Sequence, residues 1–247
     1  MRWLSDLFAE AAEACADLRR LGALLGEVTL ELGFDHFALL DHSSLSKPSG
    51  ALIRIDNYPE AWAREIAERG YAADDPVHRA SRRTNAGFAW TEVGSLIALE
   101  PLHRTILERS KYHGLGGGFT IPANVPGEPG ASCSFAVRTG RALPRSSLRC
   151  AELIGIRALY AARRLRGRTR RAQRPRLSRR EVQCVKLVAL GKTDWEIARI
   201  LGLSVHTTRQ YVKRARSAYA TVSRTQLALY ALRDQWIGFE DAIPPNG

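Results

Sequence analysis

No uninterrupted apolar stretch of about 18 residues, the length a membrane-crossing helix needs, occurs anywhere in the 247 residues. The opening MRWLSDLFAEAAEACADLRR carries acids where a secretory signal needs an apolar run, so the chain is expected to stay in the cytoplasm with no membrane partner. Cysteine is scarce. Cys15, Cys133, Cys150 and Cys184 lie far apart, without a C-x-x-C pair or histidines at zinc-ligand spacing, so reduced, structural thiols and no metal site are expected. Also missing are a G-x-S-x-G elbow, a P-loop and an H-E-x-x-H pair, and Asp74, Asp75 and the scattered histidines form no catalytic constellation. The chain is expected not to be an enzyme.

Basic charge, by contrast, is abundant. Lysine and arginine number 37 against 25 acids, a net charge of +12, which favours an anionic partner by long-range attraction and counterion release, nucleic acid ahead of a membrane surface. Hydrophobic content of 45% and charged content of 25% fit ordinary globular domains, and domains of roughly 100–150 residues are commonest, so two are expected. Residues 1–165 mix helical and strand patterns, residues 177–247 are helical throughout, and residues 166–176 form a basic connection. That connection belongs to RRLRGRTRRAQRPRLSRR, broken by Gly167 and Pro175. It reads as a solvated linker, with phosphate contact as a second role.

In the first part, Leu4 to Leu32 reads as amphipathic helix, divided near Gly26. HFALLD (36–41) and ALIRID (51–56) flank SSLSKPSG as adjacent strands joined by a loop. Helices are expected over Pro59–Arg69, Asp75–Arg83, Leu99–Tyr112 and Arg145–Leu165, with GFAW extended. FTIPAN (119–124) and ASCSFAVRT (131–139) flank VPGEPG as a hairpin-like pair. Helices before and after a mostly antiparallel sheet indicate an α+β fold, an α-β-α sandwich followed by an all-α four-helix domain.

Four helix-start signals follow in the second part. Ser178-x-x-Glu181, Thr193-x-x-Glu196 and Ser223-x-x-Gln226 fit the capping box, and Ser204 starts a helix without the returning carboxylate. Gly191 suits a left-handed helix end, and Gly202 sits in a tight turn. In the helix after Ser204, Val205, Thr208, Val212, Ala215 and Tyr219 form a packing face against Ile197, Ala198 and Leu201. The other face presents His206, Thr207, Arg209, Gln210, Lys213 and Arg214, donors and cations long enough to reach base edges and phosphates in a major groove.

The stretch LSRREVQCVKLVALGKTDWEIARILGLSVHTTRQYVKRARSAYATVSRTQLALYAL resembles the helix-turn-helix output domain of the LuxR family, matching it at Glu181, Gly191, Thr193, Glu196, Ile197 and Ala198. Val185 departs from a usual leucine and Ala218-Tyr219 from a frequent Lys-Leu; both keep apolar packing. The resemblance places Arg209 and Lys213 at positions that meet double-stranded DNA. Two-fold DNA sites, with half-sites about one turn or roughly 10 bp apart, then imply a homodimer. That helix-turn-helix is shared with response regulators, but a receiver domain would alternate parallel strands and helices, which the first part does not.

Upstream, Tyr58, Trp62 and Ile66 stack along one helix face, followed by Asp75-Pro76 and Trp90. The aromatics read as core, and Asp75 either holds a buried donor or caps the helix that begins there. The set NYPEAW, DDPV and FAW is similar to the autoinducer-binding domain of quorum-sensing LuxR-type receptors. That resemblance implies no cofactor and an N-acyl homoserine lactone as ligand. Trp62 then donates to the lactone carbonyl, Tyr58 to the acyl carbonyl, Asp75 accepts from the amide, Trp90 packs on the ring and Gly118 admits close approach. Tyr71, Ile66 and Cys133 complete the pocket set. Ile66 replaces a usual tyrosine, and Cys133 aligns with a usual serine or threonine, Ser132 or Ser134 taking that place if the register slips by one. These departures motivate the alternative of a LuxR-type receptor for another small molecule, aryl or host-derived; a lactone-hydrolysing enzyme is the weaker one.

Overall fold

Two helices open the chain, and the break between them falls earlier than Gly26. In the computed structural model, which describes residues 2–42, 53–125, 130–170 and 175–243, α1 spans Arg2–Ala14 and α2 spans Leu18–Glu31. Asp17 sets the boundary: its carboxylate accepts from the Arg20 N–H at 2.8 Å, a short-range N-cap that outweighs the mild helix penalty of Gly26. Gly26 stays inside α2, where an added Cβ would lie in ordinary contact with Phe37.

The described residues divide into two compact units, one reaching residue 169 and one beginning at residue 170. In the first, β1 (His36–Asp41), β2 (Arg54–Asp56), β3 (Phe88–Ala89), β4 (Leu115–Ala123) and β5 (Ala131–Arg138) form one sheet in the order β2-β1-β5-β4-β3. Every pairing is antiparallel. Between them come α3 (Glu60–Arg69), α4 (Pro76–Ser81), α5 (Val93–Leu96) and α6 (Pro101–Tyr112), and α7 (Leu148–Arg170) follows. β4 begins four residues before the expected FTIPAN because Gly117 and Gly118, poor strand formers alone, are carried by the ladder to β5, with Gly116 at a register shift between Leu115 and Gly117. The SSLSKPSG loop, most of VPGEPG and the middle of the basic run lie outside the described residues.

β5 is buried on both faces, and its period-two alternation sorts the core. Ala131, Cys133, Phe135 and Val137 join Phe8, Leu21, Leu25, Ile154 and Ala158 of α1, α2 and α7 in one cluster. Ala136 belongs to another, with Trp62, Tyr71, Ile106 and Leu115. Helices on both faces of the antiparallel sheet make an α-β-α sandwich. Its last helix runs past Leu165 to Arg170, because Leu165 is buried and Arg166 forms an ion pair with the buried Asp41. The start of the basic run is therefore helical, not linker.

The second unit holds α8 (Arg179–Ala189), α9 (Asp194–Leu201), α10 (Val205–Ala218), α11 (Arg224–Arg233) and a short α12 (Phe239–Ala242). The last goes beyond the four expected helices; Asp241 bonds the Gly238 N–H at 3.0 Å and pairs with Lys186 at 2.9 Å. Glu181 and Glu196 return to the Ser178 and Thr193 N–H groups, each at 2.7 Å. Ser223 accepts from the Gln226 N–H, but the Gln226 amide oxygen turns to the Thr221 hydroxyl at 2.6 Å, so this box closes on one side only. Gly202, at φ +64°, turns the chain between α9 and α10.

Candidate ligand pocket and nucleic-acid interface

The strand register lines up Thr120, Ser134, Ala38 and Asp56 across β4, β5, β1 and β2. Over this row lies α3. Trp62 is buried, its ring centroid 6.5 Å from that of Tyr71, and Tyr58, Ile66 and Trp90 pack against the same cluster. Between helix and sheet is a cavity of about 330 Å³ lined by Tyr58, Trp62, Ile66, Asp75 and His78, with Ala38, Leu40, Arg54 and Asp56 on the sheet side. A void of about 30 Å³ beside it brings in Trp90 and Ser134.

Polar groups in this mainly apolar setting are mostly committed, and on the sheet side Arg54 pairs with Asp56 at 3.0 Å. The Trp90 indole N–H donates to the Thr120 hydroxyl at 2.9 Å, the Thr120 and Ser134 hydroxyls lie 2.8 Å apart, and Ser134 hydrogen-bonds Tyr58. Burial pushes the Tyr58 phenol well above its ordinary pKa, with Asp75 and Asp56 adding to the shift, so it stays a neutral hydrogen-bonding group. Trp90 thus offers its ring face and not its donor; an added Cβ at Gly118 would overlap that indole. The Trp62 indole N–H has no acceptor among the described residues. Asp75 serves as N-cap of α4: its Oδ1 accepts from the Val77 and His78 N–H groups at 2.8 and 3.3 Å, leaving Oδ2, 3.9 Å from His78 Nδ1.

Cys133 is not brought to this cavity. It lies on the opposite face of β5, in the cluster shared with α1, α2 and α7, because its odd-numbered position alternates away from Ser132 and Ser134. Burial also pushes its thiol well up.

In the second unit, Thr208, Val212 and Ala215 of α10 are buried, together with Ile197 and Ala198 of α9. His206, Arg209, Gln210, Lys213 and Arg214 are exposed, the outward side of an amphipathic helix. Thr207 is half-buried and shares a 2.8 Å hydroxyl contact with Ser204; Arg209 lies 3.7 Å from Asp194. α10 follows α9 across the Gly202 turn, the layout of a helix-turn-helix.

Family models agree with both halves: residues 17–165 match the autoinducer binding domain and residues 175–231 the bacterial regulatory proteins of the luxR family. The chain belongs to the LuxR family. Among relatives, the transcriptional activator protein VanR of Vibrio anguillarum is 30% identical over 198 residues, 77% of this chain and 79% of that protein. An HTH-type transcriptional regulator of Sinorhizobium fredii is 28% identical over 192 residues, 78% of this chain but 59% of that protein. The crystal structure of Escherichia coli SdiA shares the fold, with a TM-score of 0.74 at 22% identity, covering 96% of this chain and 98% of that one.

As a LuxR-family autoinducer-binding transcriptional regulator, the protein takes an autoinducer rather than a cofactor. No helix among the described residues is long and apolar enough to cross a membrane. Two features of this LuxR-family pocket escape the sequence reading. Glu65, one turn after Trp62, accepts from Arg109 Nε and Nη2 at 2.7 and 2.6 Å and meets His113 Nε2 at 2.5 Å. These bonds hold its pKa at about 2 against the opposing effect of burial. This clasp ties α3 to α6 and sets the His113 ring 5.8 Å from that of Trp62. Behind the pocket, His42 bonds Ser132 at 2.9 Å and stacks on His78 at 5.0 Å; burial, then His78 and Arg82, lower its pKa to about 3 and keep it neutral. Neither set has a sequence spacing that announces it, since the partners come from distant elements.

Proposed function

We propose that this regulator binds an N-acyl homoserine lactone between α3 and the sheet and reads double-stranded DNA with α10 as a cytoplasmic homodimer. One observation supports the ligand assignment above others: an apolar cavity of about 330 Å³ meets a buried indole without an acceptor, a neutral phenol and a half-committed carboxylate. An uncharged ligand with several carbonyls and one amide donor complements that set. Trp62 donates to the lactone carbonyl, Tyr58 to the acyl carbonyl and Asp75 Oδ2 accepts from the amide. Trp90 packs on the ring over Gly118, Tyr71 backs Trp62, and Ile66 shapes the acyl wall. Ser134, and not Cys133, supplies the strand hydroxyl. Ligand binding is assigned to residues 1–165 and DNA binding to 177–247, with 166–170 continuing α7 and 171–176 following in sequence before the second domain, and with His206, Thr207, Arg209, Gln210, Lys213 and Arg214 meeting the duplex.

Homodimerisation is supported by α7, where Leu153, Ile156 and Tyr160 are 52%, 49% and 59% exposed. Their spacing puts them on one helix face, an apolar stripe suited to self-association by a two-fold contact. The assignment is tested with the full chain and a duplex selected from a random pool. One lactone from an acyl-chain panel is expected to change duplex affinity at least tenfold, and duplex affinity indifferent to every lactone overturns the ligand assignment.

A further inference from the structure

Outside the ligand cavity, the end of α4 and the residues after it meet α5 and α6 around an open cleft of about 560 Å³ lined by Arg79, Arg82, Arg83, Leu96, Ile97 and His103. Its polar lining is one-sided. Arg79 pairs with Asp74 at 2.6 Å and more loosely with Glu100 at 3.9 Å, whereas Arg82 and Arg83 have no carboxylate within ion-pair distance among the described residues. Two adjacent guanidiniums without counter-charge repel each other unless an anion lies between them.

His103 supplies the second, independent observation. Its side chain is buried, at 1% exposure, and its Nδ1 accepts the Glu100 backbone N–H at 3.1 Å. A neutral imidazole that accepts at Nδ1 carries its proton on Nε2. That Nε2 is closed off from solvent and has no hydrogen-bond partner. A buried donor left unpaired is costly, and this one belongs to a residue lining a cleft whose other polar members are cationic donors. The lining side chains offer no free acceptor, which is what an oxyanion supplies; guanidinium forks match phosphate geometry closely.

We propose that this cleft is a second small-molecule site, which takes the phosphate group of a free metabolite on Arg82 and Arg83, with His103 Nε2 uncovered on binding so that it donates a hydrogen bond to the phosphate. The site shares no lining residue with the lactone-type cavity and does not depend on the assignment of that cavity. Inorganic phosphate serves as the probe, titrated into the full chain at constant ionic strength with chloride as control. Two readings are taken, the melting temperature and the Nε2–H resonance of His103 in histidine-labelled protein.

Phosphate, and not chloride, is expected to raise the melting temperature with the logarithm of its concentration and to move the His103 resonance. The double variant Arg82→Ala, Arg83→Ala, altered only at exposed positions, is expected to weaken phosphate at least tenfold. Because α10 also presents cations, Lys213→Ala with Arg214→Ala is run alongside and is expected to keep the full phosphate effect. An unmoved His103 resonance, an equal phosphate effect in the Arg82/Arg83 variant, or loss of the effect in the α10 variant each overturns the proposal.

Discussion

At the scale of the residue, Asp75 meets two demands with two oxygens. Oδ1 holds the first turn of α4, and Oδ2 is left for a donor, so the two readings open in the sequence are separable by substitution. Asparagine keeps a carbonyl for the cap but places an NH₂ donor where the ligand amide also donates. Asp75→Asn is therefore expected to melt close to the wild type yet lose ligand response by tenfold or more, since an unpaired buried amide costs about 1–3 kcal/mol. Asp75→Ala is expected to lose both, the cap being worth about 1 kcal/mol. A wild-type dose response in folded Asp75→Asn reduces the carboxylate to a helix cap. Trp62→Phe deletes the free indole donor together with part of a buried ring, so it is expected to weaken lactone binding and to lower the ligand-free melting temperature modestly. Glu65 makes a pH prediction. Its folded pKa of about 2 lies below an ordinary value near 4.5, so its contribution is present above about 4.5 and is lost as pH falls toward 2. The melting temperature of Glu65→Gln should therefore lie below the wild type at neutral pH, with the gap closing through that window; a constant gap refutes the ionic role of the clasp.

At the scale of the element, local signals were legible and distant ones were not. The caps at Ser178, Thr193 and Ser204 and the turn at Gly202 act within four residues, so α8, α9 and α10 stand in the structure where the sequence puts them. Asp17 carries the same kind of signal, and its cap prevails over the break expected near Gly26. In contrast, the side of β5 that meets the cavity depends on pairing with β1 and β4, and a one-residue slip exchanges Cys133 for Ser134. The Glu65–Arg109–His113 clasp was illegible for a similar reason, because α3 and α6 are brought together only by the sheet beneath them. For α10 the prediction is direct: Arg209→Ala or Lys213→Ala is expected to weaken duplex binding by about 1–3 kcal/mol where the side chain reads a base. Unchanged affinity in both removes α10 as the reading helix. Thr193→Ala is expected to cost about 1 kcal/mol of stability through its cap, measurable by denaturant unfolding.

At the scale of the whole molecule, composition alone pointed to the anionic partner, since a net charge of +12 has to be balanced and α10 concentrates cations on one exposed face. Duplex affinity is accordingly expected to fall steeply with salt through counterion release. The stripe of Leu153, Ile156 and Tyr160 predicts that Ile156→Glu shifts the sedimenting species from dimer toward monomer without loss of helical content. The most direct test of the central claim is mass spectrometry of the small molecule that co-purifies with the full chain from cells supplied with a panel of N-acyl homoserine lactones. The account predicts one lactone retained near one per chain by the wild type and lost from Asp75→Asn and Trp62→Phe. A wild-type protein that carries no lactone, or a different compound held equally by all three proteins, contradicts it.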